Sequence, residues 1–152
     1  MAYSLQELGN RLEIEDVIIR LFVATDERDW TALESCFTDS FTLDMTSLVG
    51  GTPTAMKPNE ISSAWAIGFK PLDHVHHQVS NFQTSIKGDS ATVKCHGVAF
   101  HHRAKITTQM KTRIFVGTYL FNLSKFNNRW LVTLLKFDLK FLDGNLELEK
   151  SI

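Results

Sequence analysis

Apolar residues recur at three- and four-residue steps near the start of the chain: Leu8, Leu12, Val17, Ile18, Leu21, Phe22 and the small Thr25. That spacing marks one face of a helix turned to a core. Ser4-Leu5-Gln6-Glu7 has the form of a capping box, so a first helix is predicted over residues 5–27. Asp29 is placed to cap a short second helix over 30–36, residues 41–45 alternate as a short strand, and Asn59 caps a third helix over 60–69. Between them Gly50-Gly51-Thr52-Pro53 breaks regular structure. After Pro71 long strands follow, over 74–86, 90–103, 109–125 and 129–142, joined by turns at Lys87-Gly88-Asp89 and Asn127-Asn128. Helices first and hairpin-linked antiparallel strands afterwards make an α+β fold in a single domain spanning 1–152, with a charged, loose tail over 143–152.

The strands are apolar at both parities, with Phe115 and Tyr119 on one face and Ile114, Val116 and Leu120 on the other. A sheet that is apolar on both faces needs two covers: the helices on one side and a partner subunit on the other. A homodimer through the sheet is therefore expected. Charge changes the picture little. Lys+Arg 16 against Asp+Glu 17 leaves a net charge of -1, which offers no field for nucleic acid or an anionic membrane. The densest basic stretch, Arg103, Lys105, Lys111 and Arg113, reads as a solvated hairpin tip. Cys36 and Cys95 lack metal spacing and read as buried reduced thiols. With no apolar run approaching ~18 residues and no apolar leader segment, a cytoplasmic protein is expected.

One acid departs from the pattern. Asp26 lies four residues after Phe22 and continues the apolar stripe, where an unpaired carboxylate costs roughly several kcal/mol. All six histidines lie on two predicted strands, three on each. Alternation puts His77 on a face with Val75 and Val79, and His101 on a face of small residues with Cys95, Gly97 and Ala99; His74, His76 and His102 point the other way. A carboxylate on one ring nitrogen of a histidine fixes its tautomer and stabilises its protonated form, which is what a general base needs. Asp26 and His77 supply that chemistry if the helix packs over the sheet. The same pair also reads as a structural tie, and His77, His101 and Asp26 together read as a metal site. No phosphate loop, dinucleotide fingerprint, HExxH or serine elbow is present.

The runs IEDVIIRLFVATDERDWTALESCFTDSFTLD, HHQVSNF, VGTYLFNLSKFNNRW and LLKFDLKF resemble, in order, SnoaL-like domains of the nuclear transport factor 2-like superfamily. The resemblance implies a cone: a strongly bent antiparallel sheet of the cystatin-like α+β barrel type, with three N-terminal helices enclosing an apolar cavity. The superfamily includes scytalone dehydratase, hexachlorocyclohexane dehydrochlorinase, bile-acid dehydratases and polyketide cyclases, alongside binding proteins and adaptors. By that similarity Asp26 orients His77 as the proton-abstracting base, and the dehydratase's second histidine falls on His101, favoured over His102 by parity. The groups that grip substrate differ: tyrosines of the dehydratase fall on Thr25 and Met45, its later serine and asparagine on Gly117 and Tyr119, and a lysine of the dehydrochlorinase on Leu21. The expectation is a cofactor-free, metal-free lyase, isomerase or cyclase acting on a small lipophilic carbonyl or hydroxy compound. Asp26, His77 and His101 carry the reaction, with Tyr119 as an alternative donor, and Thr25, Met45, Trp65, Phe115, Tyr119 and Phe137 line the pocket. The alternatives are a dimeric carrier of an apolar ligand and a protein-interaction scaffold.

Overall fold

In the computed structural model, which describes residues 2–107 and 109–150, the first helix α1 runs Leu5–Glu27 and the short α2 runs Trp30–Glu34. Strand β1 (Phe37–Asp44), a single turn of helix α3 (Thr46–Val49), β2 (Thr54–Met56) and α4 (Pro58–Gly68) follow. Four long strands then complete the fold: β3 (His74–Lys87), β4 (Ser90–His102), β5 (Thr112–Phe126) and β6 (Arg129–Gly144). The expected α+β class holds, with a fourth helix and a small strand that the sequence pattern does not announce. The added helical turn starts where the Asp44 carboxylate accepts hydrogen bonds from the amide and hydroxyl of Thr46, at 3.1 and 2.7 Å.

The six strands form one curved sheet in the order β2-β1-β6-β5-β4-β3. All neighbours are antiparallel except β1 and β6, which are parallel. Edge strands β2 and β3 do not meet, so the sheet is an open cone rather than a closed barrel. Curvature comes from bulges, which bend a strand by adding a residue on one side of a ladder. In β3 the register jumps between Ser80 and Gln83, with Asn81 at φ 59, a left-handed conformation that asparagine tolerates. Two more shifts occur in the β5–β6 ladder.

Those bulges change which residues face inward. In β6 Trp130, Val132, Leu135 and Phe137 are buried in the core, while Leu131 is only half-buried and Phe141 is 54% exposed. Strict two-residue alternation would put Leu131, Leu135, Phe137, Leu139 and Phe141 on one face, and the bulges break it. Trp130 belongs to a central strand and donates its indole N–H to Asn10 at 3.3 Å.

Helix α1 packs on the concave face through Ile14, Val17, Ile18, Leu21, Phe22 and Thr25. Its first turns correct the expected stripe, since Leu8 and Leu12 are exposed. Extending the buried face backwards by helical steps leads instead to Asn10 and Arg11, which reach the sheet by hydrogen bonds. Asn10 accepts from Lys125 and Trp130, and Arg11 donates to the Thr84 carbonyl at 2.7 Å. Polar anchors there replace apolar ones.

The chain beyond β6 also differs from the loose tail expected. Leu148 is fully buried in a small satellite core with Leu72, Val75 and Ile106, against which Phe69 packs. Arg103 donates to the carbonyls of Leu148 and Glu149, at 3.2 and 3.0 Å. The tail as far as Lys150 is thus part of the packed structure, and Ser151 and Ile152 lie outside the described residues.

Candidate active site

The last turn of α1 brings Asp26 against the opening residues of β3. One carboxylate oxygen accepts the backbone N–H of His77 at 2.8 Å, and the other lies 2.6 Å from His77 Nδ1. An ionised carboxylate has only acceptors, so this bond places the ring proton on Nδ1 and leaves the Nε2 lone pair free. The imidazole is stacked on Phe22, with ring centroids 5.0 Å apart, and its side chain is 10% exposed. His76, whose ring lies 3.9 Å from the same carboxylate, is 62% exposed and points away, as alternation requires.

His77 opens on a cavity of about 210 Å³. Of the expected lining residues, Met45, Trp65, Phe115, Tyr119 and Phe137 all face it, with His101 on the same wall. The walls also include Leu48 and Val49 of α3, Phe69 after α4, and Ala99. Leu48 and Val49 owe their place to the unforeseen helical turn. Thr25 is the exception among the expected lining positions. It is fully buried inside the α1–sheet contact, and its hydroxyl donates to the Leu21 carbonyl at 2.8 Å, four residues back. It closes a helical hydrogen bond instead of meeting a ligand.

Tyr119 sits where glycine makes room for it. A Cβ at Gly97 would lie 2.1 Å from the Tyr119 ring, and one at Gly117 would lie 2.6 Å from the Phe137 ring. The two glycines are paired across β4 and β5, so two aromatic rings lie flat on the backbone at the sheet's bend. Burial pushes the Tyr119 phenol up, beyond the ordinary tyrosine range, so it stays a donor. Among the described residues its hydroxyl forms no hydrogen bond, although the side chain is almost fully buried. A buried phenol normally finds a partner, and here the open direction is the cavity.

His101 is neutral at ordinary pH. Burial pushes its pKa down to about 3, with the nearby Arg113 guanidinium and His77 adding to the effect. Its ring is wedged between Phe115 and Phe69, at 4.8 and 5.3 Å between centroids. Arg113 corrects the basic-hairpin reading: its side chain is only 15% exposed, is ion-paired with Glu149, and lies 3.4 Å from His101 Nδ1. Sequence reasoning missed Arg113 because charge density alone suggested solvent. Its odd-numbered parity with Phe115 and Tyr119 was the available signal. His102 faces away and bonds to Thr112 at 2.8 Å, so the inward second histidine is His101.

Metal-ligating side chains do not cluster here: among the described residues no three His, Cys, Asp or Glu groups converge on one point. The Nδ1 atoms of His77 and His101 are both occupied, by Asp26 and Arg113. A larger depression of about 410 Å³ lies across Gln83, Lys94, His96, Thr118 and Asp138 on the outer side of the sheet. There Asn81 and His96 bond to each other at 3.0 Å and both are exposed, an ordinary solvated surface.

Comparison with solved structures agrees with this architecture over nearly the whole chain. The Kfla4162 protein from Kribbella flavida superposes with a TM-score of 0.88 at 22% identity, covering 94% of this chain and 98% of that one. A proposed scytalone dehydratase from Novosphingobium aromaticivorans gives 0.77 at 15% identity, covering 91% and 89%. The hexachlorocyclohexane dehydrochlorinase LinA-type3 from Novosphingobium barchaimii gives 0.78 at 13% identity, covering 93% and 94%. At such identities the likeness is one of fold. No curated protein matches the chain by sequence. No helix among the described residues is long and apolar enough to cross a membrane. The SnoaL-like domain model matches residues 6–136, a span that includes nearly all of α1, strand β3 with His77 and most of the cavity wall, and the chain accordingly belongs to the SnoaL-like domain family.

Proposed function

We propose that the protein is a lyase, isomerase or cyclase that needs no cofactor and removes a proton next to a carbonyl in a small lipophilic substrate. The observation that carries this reading is the Asp26–His77 pair on the wall of an apolar cavity, in which the Asp26 bond to Nδ1 leaves a lone pair on Nε2. The substrate's acidic C–H is taken by His77 Nε2, and the imidazolium formed is balanced by Asp26 at 2.6 Å. Electron density moves to the carbonyl oxygen, which meets the N–H of neutral His101 or the hydroxyl of Tyr119. The enolate then expels a β-hydroxyl as water, is reprotonated at another carbon by His77, or attacks a second carbonyl. Each outcome returns the proton through the same base. A cavity of about 150 Å³ holds one benzene ring, so 210 Å³ suits a single ring with a few substituents.

The test uses exchange, which needs no knowledge of the natural product. One-ring aryl ketones incubated with the protein in D2O are expected to gain deuterium at the α-carbon. Asp26→Asn and His77→Ala should each slow exchange by about 10²–10⁴-fold. Exchange unchanged in both variants refutes the reading. Ligand retention without exchange would favour the alternative, a carrier of apolar small molecules, for which the apolar walls are equally suited.

The outer face of the sheet supports a homodimer. Phe100 pairs with Ile114, Val98 with Val116, and Val116 with the exposed Phe141, so apolar side chains run across three adjacent strands. Light scattering at micromolar concentration is expected to give twice the 17.3 kDa chain mass, and the monomer mass would count against it.

A further inference from the structure

We infer that Arg113 is a positioning residue that fixes His101 as a hydrogen-bond donor to the cavity, with the C-terminal segment as its anchor. What each partner can offer decides the polarity. A guanidinium has only N–H donors, so its approach to His101 Nδ1, at 3.4 Å, requires a lone pair on that nitrogen. The single proton of the neutral ring then resides on Nε2. Asp26 does the opposite to His77, because a carboxylate has only acceptors. Two imidazoles on the same cavity wall are thereby given opposite polarity: His77 offers a lone pair and His101 offers an N–H.

The guanidinium is held from several sides. It is ion-paired with Glu149 and lies over the Phe115 ring at 4.8 Å, while Phe115 itself packs on His101. Glu149 is located by its neighbour Leu148, which is fully buried in the satellite core, and by Arg103, which binds the carbonyls of both residues. The tail thus reaches back to set a side chain behind the site.

The charged groups around His101 are few. Arg113 faces it from β5, Glu149 from the tail at 3.9 Å, and His77 from β3 with Asp26 behind it. The end of α4 contributes only Phe69. Burial and the two cationic or ionisable neighbours all disfavour a second proton on the ring.

This role rests on the proposed reaction only for its catalytic consequence; the tautomer is measurable without a substrate. The experiment is long-range 1H–15N NMR of the full chain labelled at histidine, recorded across pH, with His101→Phe assigning the resonance. The expected result is a neutral His101 with its proton on Nε2. In Arg113→Leu the His101 midpoint should rise by about 1–3 pH units as the adjacent cation is lost. Arg113→Lys, which keeps the charge, should retain most of the depression. Should the leucine variant not fold, Arg113→Gln, an uncharged donor, is expected to show the same upward shift with Nε2–H retained. A wild-type proton on Nδ1, or a midpoint indifferent to Arg113, overturns the inference. Failure of the wild type to exchange any ketone would refute the proposed reaction, while the NMR result still decides the role of Arg113.

Discussion

His101 gives the structure a definite pH dependence of stability. Its pKa is pushed from 6.5 down to about 3 in the folded chain, whereas in the unfolded chain it returns to the ordinary range. Between those two values the unfolded state holds the proton and the folded state does not. Stability therefore rises with pH across that window; the contribution is present above about pH 6.5 and is lost progressively as pH falls towards 3. Inside the window one proton taken up by the unfolded chain alone is worth about 1.4 kcal/mol per pH unit, so lowering the pH from 8 to 5 should cost about 2 kcal/mol through this side chain. The side chain is only 12% exposed, so solvent screening does little to reduce the effect. The perturbation is His101→Phe, a planar ring that does not titrate and leaves Arg113 its pair with Glu149. Urea unfolding of both proteins at pH 8 and pH 5 isolates the histidine, because other titrating groups are common to the two. The wild type should lose about 2 kcal/mol more than the variant over that interval. Equal losses would refute the claim that this ring is buried and neutral, and with it the electrostatic picture of the cavity wall.

The glycines under the aromatic rings should be intolerant of even one methyl group. Gly97→Ala places a Cβ 2.1 Å from a Tyr119 ring that is held between Phe22 and Phe137, and should cost about 1–3 kcal/mol by denaturant unfolding. Gly117→Ala should cost more, because its Cβ would also meet the Asp138 carbonyl at 2.4 Å, and backbone cannot swing aside. A Gly117→Ala variant as stable as wild type would show that the bend is not built on these contacts. Both thiols should ignore a disulfide reagent at pH 8 until the chain unfolds. Cys36 and Cys95 are buried, and burial pushes the Cys95 thiol up to about 12. Rapid labelling of the native protein would contradict that packing.

Much of this was legible in the order of residues. The 3.6-residue stripe ending in Asp26 and the two-residue alternation through His77 and His101 each predict a face, because each depends on local backbone geometry alone. From the middle of α1 to its last turn, and at the start of β3 and the end of β4, nothing interrupts that geometry, and the predicted faces are the observed ones. The carboxylate and both inward histidines were therefore identifiable from the pattern, whereas the apolar wall was expected through the family resemblance.

Each departure from the pattern has its own physical cause. Leu8 and Leu12 were expected inside because apolar residues repeat there, but the sheet meets the first turns of α1 through Asn10 and Arg11. Leu131 and Phe141 depart from simple alternation with the buried Leu135 and Phe137 because bulges insert residues into β6, and a bulge depends on the partner strand as much as on its own sequence. Thr25 was satisfied by its own helix.

The order of residues settles which side chains point inward within each unbroken element, since alternation and helical repeat are properties of a short stretch of backbone. How those elements meet is a matter of the packed chain: Asp26 reaches β3 across the opening of the cone, and Arg113 leaves solvent to stand behind His101. The last residues then fold back to hold it there. The contacts Arg113–Glu149 and Asp26–His77 join residues 36 and 51 positions apart, and no local periodicity encodes a distance of that kind.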